Sequence, residues 1–174
     1  MRARSIDYLG MAAEVTRAAF IAECPHFFLV GKQALERPDR PRRTDVFDIV
    51  DSNFDHTNTV RFDEVHAPET LVLPIKKVQS AFESMITVGR TSNNDIVIPD
   101  VNVSRFHAFF RVHEDRVDLS DGGSANGTLV EGKPLPAKGA AQIIIPGDRI
   151  TFAHLEFVFL DAGTTHDRLL AAAR

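Results

Sequence analysis

Cysteine is almost missing from this chain: Cys24 is the single copy in 174 residues. A lone thiol excludes an intramolecular disulfide framework and a thiolate zinc cluster, and it fits a reducing compartment. Long apolar runs are absent as well. Nowhere do the ~18 consecutive apolar residues of a membrane span occur, and Asp7, Glu14 and Arg17 interrupt the N-terminal stretch, so neither a membrane span nor a secretion signal is expected. A basic excess is also lacking. The formal net charge of −4 disfavours nucleic acid and anionic membranes as partners, because both demand a strong cationic footprint to displace counterions. Any anion binding must therefore be local, and a soluble, cytoplasmic protein is the expectation.

What is present can fold. Hydrophobic residues make up 44% and charged ones 25%, which excludes bulk disorder, and the length suits one well-buried domain with an extension. Ile6, Leu9, Ala13 and Phe20 follow helical spacing, which predicts a helix over about 5–23 with Ser5 as N-cap and Pro25 as the stop. That helix either packs on its own domain or docks a partner. After Phe27-Phe28-Leu29-Val30 comes Glu36 to Arg43, with four Arg and two Pro, and then Asp45 to Asp55 with four Asp. This reads as a solvated linker over about 36–58, the alternatives being a kinase-accessible tail around Thr44 or an internal pseudo-ligand for the module downstream.

Beyond about Val60 the period shortens. Leu71–Leu73, Met85–Val88, Ile96–Ile98, Ala108–Val112, Arg116–Leu119, Thr128–Val130, Ile143–Ile145, Arg149–Phe152 and Glu156–Leu160 are short strand-like runs separated by turn residues. In Ile150-Thr151-Phe152 and Leu155-Glu156-Phe157 alternation puts apolar groups on one face, as a half-buried antiparallel sheet requires. A succession of such strands without intervening helices predicts an all-β sandwich, a barrel being the weaker option.

Three polar clusters fall just outside these strands: Gly89-Arg90, Ser104-Arg105-Phe106-His107, and Ser124-Ala125-Asn126-Gly127-Thr128. Loops gather at the two ends of a sandwich, so distant clusters can converge there. Arg90 offers a permanently charged fork, Ser104 a hydroxyl donor, and Asn126 an amide that both donates and accepts, which together suit a phosphate and the peptide bearing it. Asn126-Gly127 is also a hairpin signal in its own right, so a structural role for Asn126 stays open. Gly89 and Gly127 let the backbone bend or approach closely, and His107 is read as a hydrogen-bonded core histidine.

The ordered set Gly-Arg, Asn-Asp-Ile, Val-Ser-Arg-x-His-Ala, Asp-Leu, Asn-Gly-Thr and Gly-Asp, over about Ala67 to Ala162, resembles the forkhead-associated domain, a β-sandwich module that recognises phosphothreonine. The resemblance implies that Arg90 and Ser104 contact phosphate, that Arg105 contributes, that Asn126 holds the ligand main chain, and that His107 supports the loop from below. The stretch Asp121-Gly122-Gly123 is longer than the family's usual form before Ser124, and Glu131 stands where a second Asn-Gly often occurs, leaving ligand preference beyond the phosphothreonine open.

The expected organisation is an N-terminal extension over 1–66, a forkhead-associated antiparallel β-sandwich over 67–162 and a C-terminal tail over 163–174. The expected function is a non-catalytic, phosphothreonine-dependent adaptor in Ser/Thr kinase signalling, its partner a kinase or a kinase substrate, with no metal and no cofactor. The rival is a phosphorylation-independent scaffold. Enzyme footholds are weak: Gly127 to Lys133 has P-loop spacing, but Pro134 sits where the magnesium-binding hydroxyl belongs. Ser104 and His107 lack a nucleophile elbow, and Cys24-Pro25-His26 is a lone thiol beside a helix end.

Overall fold

The computed structural model describes residues 8–32, 60–61, 70–78, 82–136 and 139–172. Two helices, α1 (Tyr8–Glu14) and α2 (Arg17–Glu23), precede β1 (Phe27–Lys32), β2 (Val60–Arg61) and β3 (Thr70–Pro74). Then come β4 (Ile86–Gly89), β5 (Ile96–Val97), β6 (Ala108–Val112), β7 (Val117–Asp121), β8 (Thr128–Val130) and β9 (Lys133–Pro134). The chain continues through β10 (Gln142–Ile144), β11 (Arg149–Phe152) and β12 (Leu155–Asp161) into α3 (Ala162–Ala172).

The strands form two sheets, β2-β3-β1-β12-β11-β8-β9 and β10-β7-β6-β4-β5, antiparallel except for the β4–β5 pair. Between them lies one apolar core, with Leu29, Leu73, Val88, Phe110, Leu119, Ile150, Phe152, Phe157 and Phe159 all buried. The alternation expected in β11 and β12 is observed: Ile150, Phe152, Leu155 and Phe157 face this core while Glu156 is exposed.

A second core covers the outer face of the larger sheet. Phe28 and Val30 of β1, Val72 of β3 and Leu160 of β12 point away from the sandwich centre into a cluster with Tyr8, Ala12, Phe20 and Leu169. Successive side chains of these strands thus enter different cores, which is why they read as unbroken apolar runs. Sequence spacing predicts one helix over 5–23; the described residues of that stretch form two. Thr16 sits between them in extended geometry (φ −67, ψ 155), and its hydroxyl accepts from Ala19 N at 3.3 Å, starting α2 afresh. Phe20 faces inward as expected, but Ala13 is exposed and Tyr8 and Ala12 are buried instead. Cys24, ahead of Pro25, is extended (φ −96, ψ 162) and ends α2 where proline disfavours helix.

The expected division of the chain does not follow the sheets. β1, from the stretch assigned to the extension, pairs with both β12 and β3, and the expected tail is helical through Ala172. Asp161 caps α3, accepting from Thr164 N at 2.8 Å and Thr164 Oγ1 at 2.9 Å. Arg17 of α2 pairs with Asp167 of α3 at 3.1 Å. Ser5, Ile6, the expected 36–58 linker and Thr44 lie outside the described residues. Among the described residues no helix is long and apolar enough to cross a membrane.

Candidate functional site

Strand register brings the three polar clusters to one end of the smaller sheet. Val88 of β4 pairs with Ala108 of β6, which pairs with Asp121 of β7. The residues following Val88, preceding Ala108 and following Asp121 therefore emerge side by side. Backbone bonds stitch them together: Arg90 N to Ser104 O at 3.0 Å, His107 N to Val88 O at 2.8 Å, and Gly122 N to His107 O at 2.8 Å. Two side-chain bonds finish the join, Ala125 N to Ser104 Oγ at 3.0 Å and Asn126 Nδ2 to Asn102 O at 2.8 Å. Gly89 makes this approach possible, since a Cβ there would run into the Arg105 carbonyl and lie 2.7 Å from Asn94 Nδ2.

Arg90, Asn102, Ser104, Arg105, Phe106 and Asn126 line one open cavity of about 500 Å³. Among the described residues, two arginines and no carboxylate contribute to its lining, so its field favours an anion. Ser104 Oγ accepts from Ala125 N and keeps its own proton to donate. Asn126 spends one amide hydrogen on Asn102 O, leaving its second donor for other work. All of the sequence-predicted residues Gly89, Arg90, Ser104, Arg105, His107, Asn126 and Gly127 lie in or directly behind this end of the sandwich.

His107 is fully buried, stacked edge-on to Phe152 at 5.7 Å. Ser104 N donates to its Nδ1 at 3.0 Å, and its Nε2 lies 3.0 Å from Gly127 O. The ring thus joins the second polar cluster to the third. Gly127 has φ +79, a left-handed conformation that glycine adopts without strain. Burial pulls the His107 pKa down, against the opposing effects of the Gly127 carbonyl and the Asp121 charge.

Sequence reasoning gives no role to Asp121 or to the Asn94-Asp95 pair. Asp121 Oδ1 accepts from Gly123 N and Ser124 N at 2.8 Å each, while Oδ2 accepts from Ser124 Oγ and Thr128 Oγ1 at 2.7 Å each. Burial alone would push this carboxyl up; these bonds hold it below the usual range. Asn94 Nδ2 donates to Arg105 O at 2.6 Å, and Thr91 Oγ1 to the same carbonyl at 3.0 Å, pinning the loop behind the cavity. Asp95, 1% exposed, accepts from Lys77 Nζ at 2.8 Å and from Thr87 and Val78 N at 2.9 Å each. The Asn-Asp-Ile signature and the aspartate ending β7 were the available signals.

The enzyme footholds find other uses. Residues 128–134 form the β8–β9 hairpin, with Val130 opposite Lys133. His107 meets the Ser104 backbone N–H and Gly127 O, while the Ser104 hydroxyl meets Ala125 N. Cys24 Sγ lies 3.7 Å from Met11 Sδ, and burial, aided by Glu23, pushes the thiol up to about 11, the reverse of an activated nucleophile. Asn126-Gly127 is not a hairpin turn either. It lies in the crossing between β7 of one sheet and β8 of the other.

Fold and site together give a β-sandwich with a cationic cavity built from its end loops. The FHA domain family model matches residues 86–153, and over that stretch the protein is similar to a forkhead-associated domain. It is 42% identical over 74 residues to the oxoglutarate dehydrogenase inhibitor of Corynebacterium glutamicum, covering 42% of this chain and 49% of that one. To the glycogen accumulation regulator GarA of Mycobacterium tuberculosis it is 33% identical over 78 residues, covering 45% and 46%. The chain thus spans about half the length of these curated relatives. Among solved structures, Mycobacterium tuberculosis EmbR in complex with a low-affinity phosphopeptide is similar at 31% identity, over 44% of this chain and 20% of that chain, with a TM-score of 0.41.

Proposed function

We propose that this protein is a non-catalytic, cytoplasmic adaptor that binds phosphothreonine-containing proteins in Ser/Thr kinase signalling. Arg90 and Ser104 grip the phosphate, Arg105 adds charge at the rim, and Asn126 holds the peptide main chain. His107, Gly89 and Gly127 support the loops. The observation that carries this reading is the cavity itself, where Arg90, Ser104, Arg105 and Asn126 line one concave surface to which no carboxylate among the described residues contributes. A phosphothreonine brings about −1.5 to −2 charges and three strong acceptors, and the cavity offers two guanidinium forks, a hydroxyl and a carboxamide in return. The names of the relatives, an enzyme inhibitor and a metabolic regulator, fit a protein that acts by binding other proteins. The bound partner is a Ser/Thr kinase or one of its substrates.

Fluorescence anisotropy with a degenerate phosphothreonine peptide library, its unphosphorylated counterpart and an Arg90→Ala variant tests this. Binding that requires both the phosphate and Arg90 supports it. Equal binding of unphosphorylated peptide, unaffected by Arg90→Ala, replaces it with a phosphorylation-independent scaffold.

A further inference from the structure

Phe106 lines the anion cavity yet has no group that can hold an anion. The residue is 36% exposed, which sets a large apolar side chain beside a charged pocket. The ring is also held in place. Phe109 stacks on it at 6.1 Å with an interplanar angle of 19°, and Phe82 tilts against it at 6.1 Å and 42°. Phe109 is 8% exposed and carries the Arg111 guanidinium 4.8 Å above its ring. Behind Phe106, Gly122 leaves the space the ring occupies, since a Cβ there would lie 2.7 Å from Phe106 Cδ1. Phe82, 53% exposed, extends the apolar surface outward. Val101, 74% exposed, adds a second apolar side chain to the cavity lining.

We infer that Phe106, braced by Phe82 and Phe109, selects an apolar side chain one or two residues from the phosphothreonine of the bound peptide. This rests on the phosphothreonine reading of the cavity. Three features support it. The aromatic shelf is continuous with the cavity, because Phe106 belongs to both. An extended peptide advances ~3.3 Å per residue, so a side chain one or two positions from an anchored phosphothreonine falls beside the pocket rather than in it. A braced ring has little rotamer freedom left to lose, so burying its exposed part is gained at low entropic cost.

The test uses the full chain and a set of phosphothreonine peptides that are otherwise Ala and Ser, with Leu, Phe, Ala or Asp scanned through the two positions on each side. At one of these positions Leu or Phe is expected to bind on the order of fivefold more tightly than Ala, the size set by burying roughly a third of a phenyl ring. Phe106→Ala should erase that preference while phosphorylated peptide still outbinds unphosphorylated peptide. Phe82→Ala, which leaves the cavity lining intact, should reduce the preference in part. Circular dichroism melts confirm that both variants fold; should Phe106→Ala fail to fold, Phe82→Ala alone carries the comparison, and an undiminished preference in it overturns the inference. The inference is overturned when no flanking position favours an apolar side chain, or when the preference survives in Phe106→Ala. Loss of phosphate dependence in the wild-type chain would instead remove the parent reading.

Discussion

The backbone N–H of Ser104 donates to Nδ1 of His107 at 3.0 Å, so the neutral imidazole carries its proton on Nε2 and offers it to Gly127 O, also at 3.0 Å. One buried ring therefore sets the spacing between the loop that presents Ser104 and Arg105 and the loop that presents Asn126.

Acid should undo this join. The folded pKa of His107 is lowered, chiefly by burial, so the unfolded chain takes up the proton more readily. The stability from the neutral ring is complete above about pH 6.5, the ordinary histidine value, and is lost as pH falls through it toward the lowered one. Asp121, also lowered, acts in a separate window: its contribution is present above about pH 4 and disappears below. Urea midpoints measured from pH 7.5 to 3 should fall in both windows, and His107→Gln should flatten the first and leave the second. A wild-type midpoint unchanged between pH 7.5 and 5 would contradict the assignment.

Gly89→Ala should destabilise the chain by about 2–3 kcal/mol, the cost of forcing a methyl group into packed surroundings. Its Cβ would meet the carbonyl of Arg105 and Asn94 Nδ2, neither at the loose end of a flexible chain. The same clash should displace Arg105 and weaken phosphopeptide binding in the molecules that do fold. Denaturation curves and peptide titration on one preparation read both effects.

Arg90→Ala should reduce phosphopeptide affinity on the order of tenfold to a few hundredfold, since a charge-assisted hydrogen bond contributes roughly 1.5–3 kcal/mol. Arg90→Lys should restore only part of the loss, because an ammonium lacks the planar fork. Raising salt should weaken wild-type binding, and lowering pH below about 6 should do so again as the phosphate loses its second charge. Affinity equal in the Lys and wild-type chains would show that charge alone is being read.

Phe20→Ala should cost about 3–5 kcal/mol, as expected for deleting a fully buried aromatic ring. Phe20 is 0% exposed against Phe28, Tyr8 and His166, on the outer face of the larger sheet. The site lies at the end of the other sheet, so peptide affinity of the folded protein should not change. A near-neutral thermal shift would show that the N-terminal helices do not belong to the folded unit.

Much of the sandwich was legible because strands announce themselves locally. Ala108 to Val112 and Arg149 to Phe152 match β6 and β11 residue for residue, and the polar clusters sat just outside such runs. The N-terminal part was less legible. Phe27 to Val30 looked like a short apolar segment before a linker, and nothing within it says that its partners are β3 and β12, both far along the chain. The helical spacing that selected Ala13 gave way to Tyr8 and Ala12, because Thr16 caps a second helix and resets the apolar face. In the sequence Asp121 is only part of a loop of unusual length, whereas its four accepted hydrogen bonds depend on how residues 123–128 fold back over it.

The amino-acid order by itself determined the strand periodicity, the turns and the chemical inventory of the site, since each depends on neighbours a few residues apart. Tertiary structure alone decided that β1 is a central strand, that three helices cover one sheet, and that Phe106 stands braced at the mouth of a cationic cavity. Those outcomes are set by register between distant segments and by the burial that register imposes, and no local pattern encodes either.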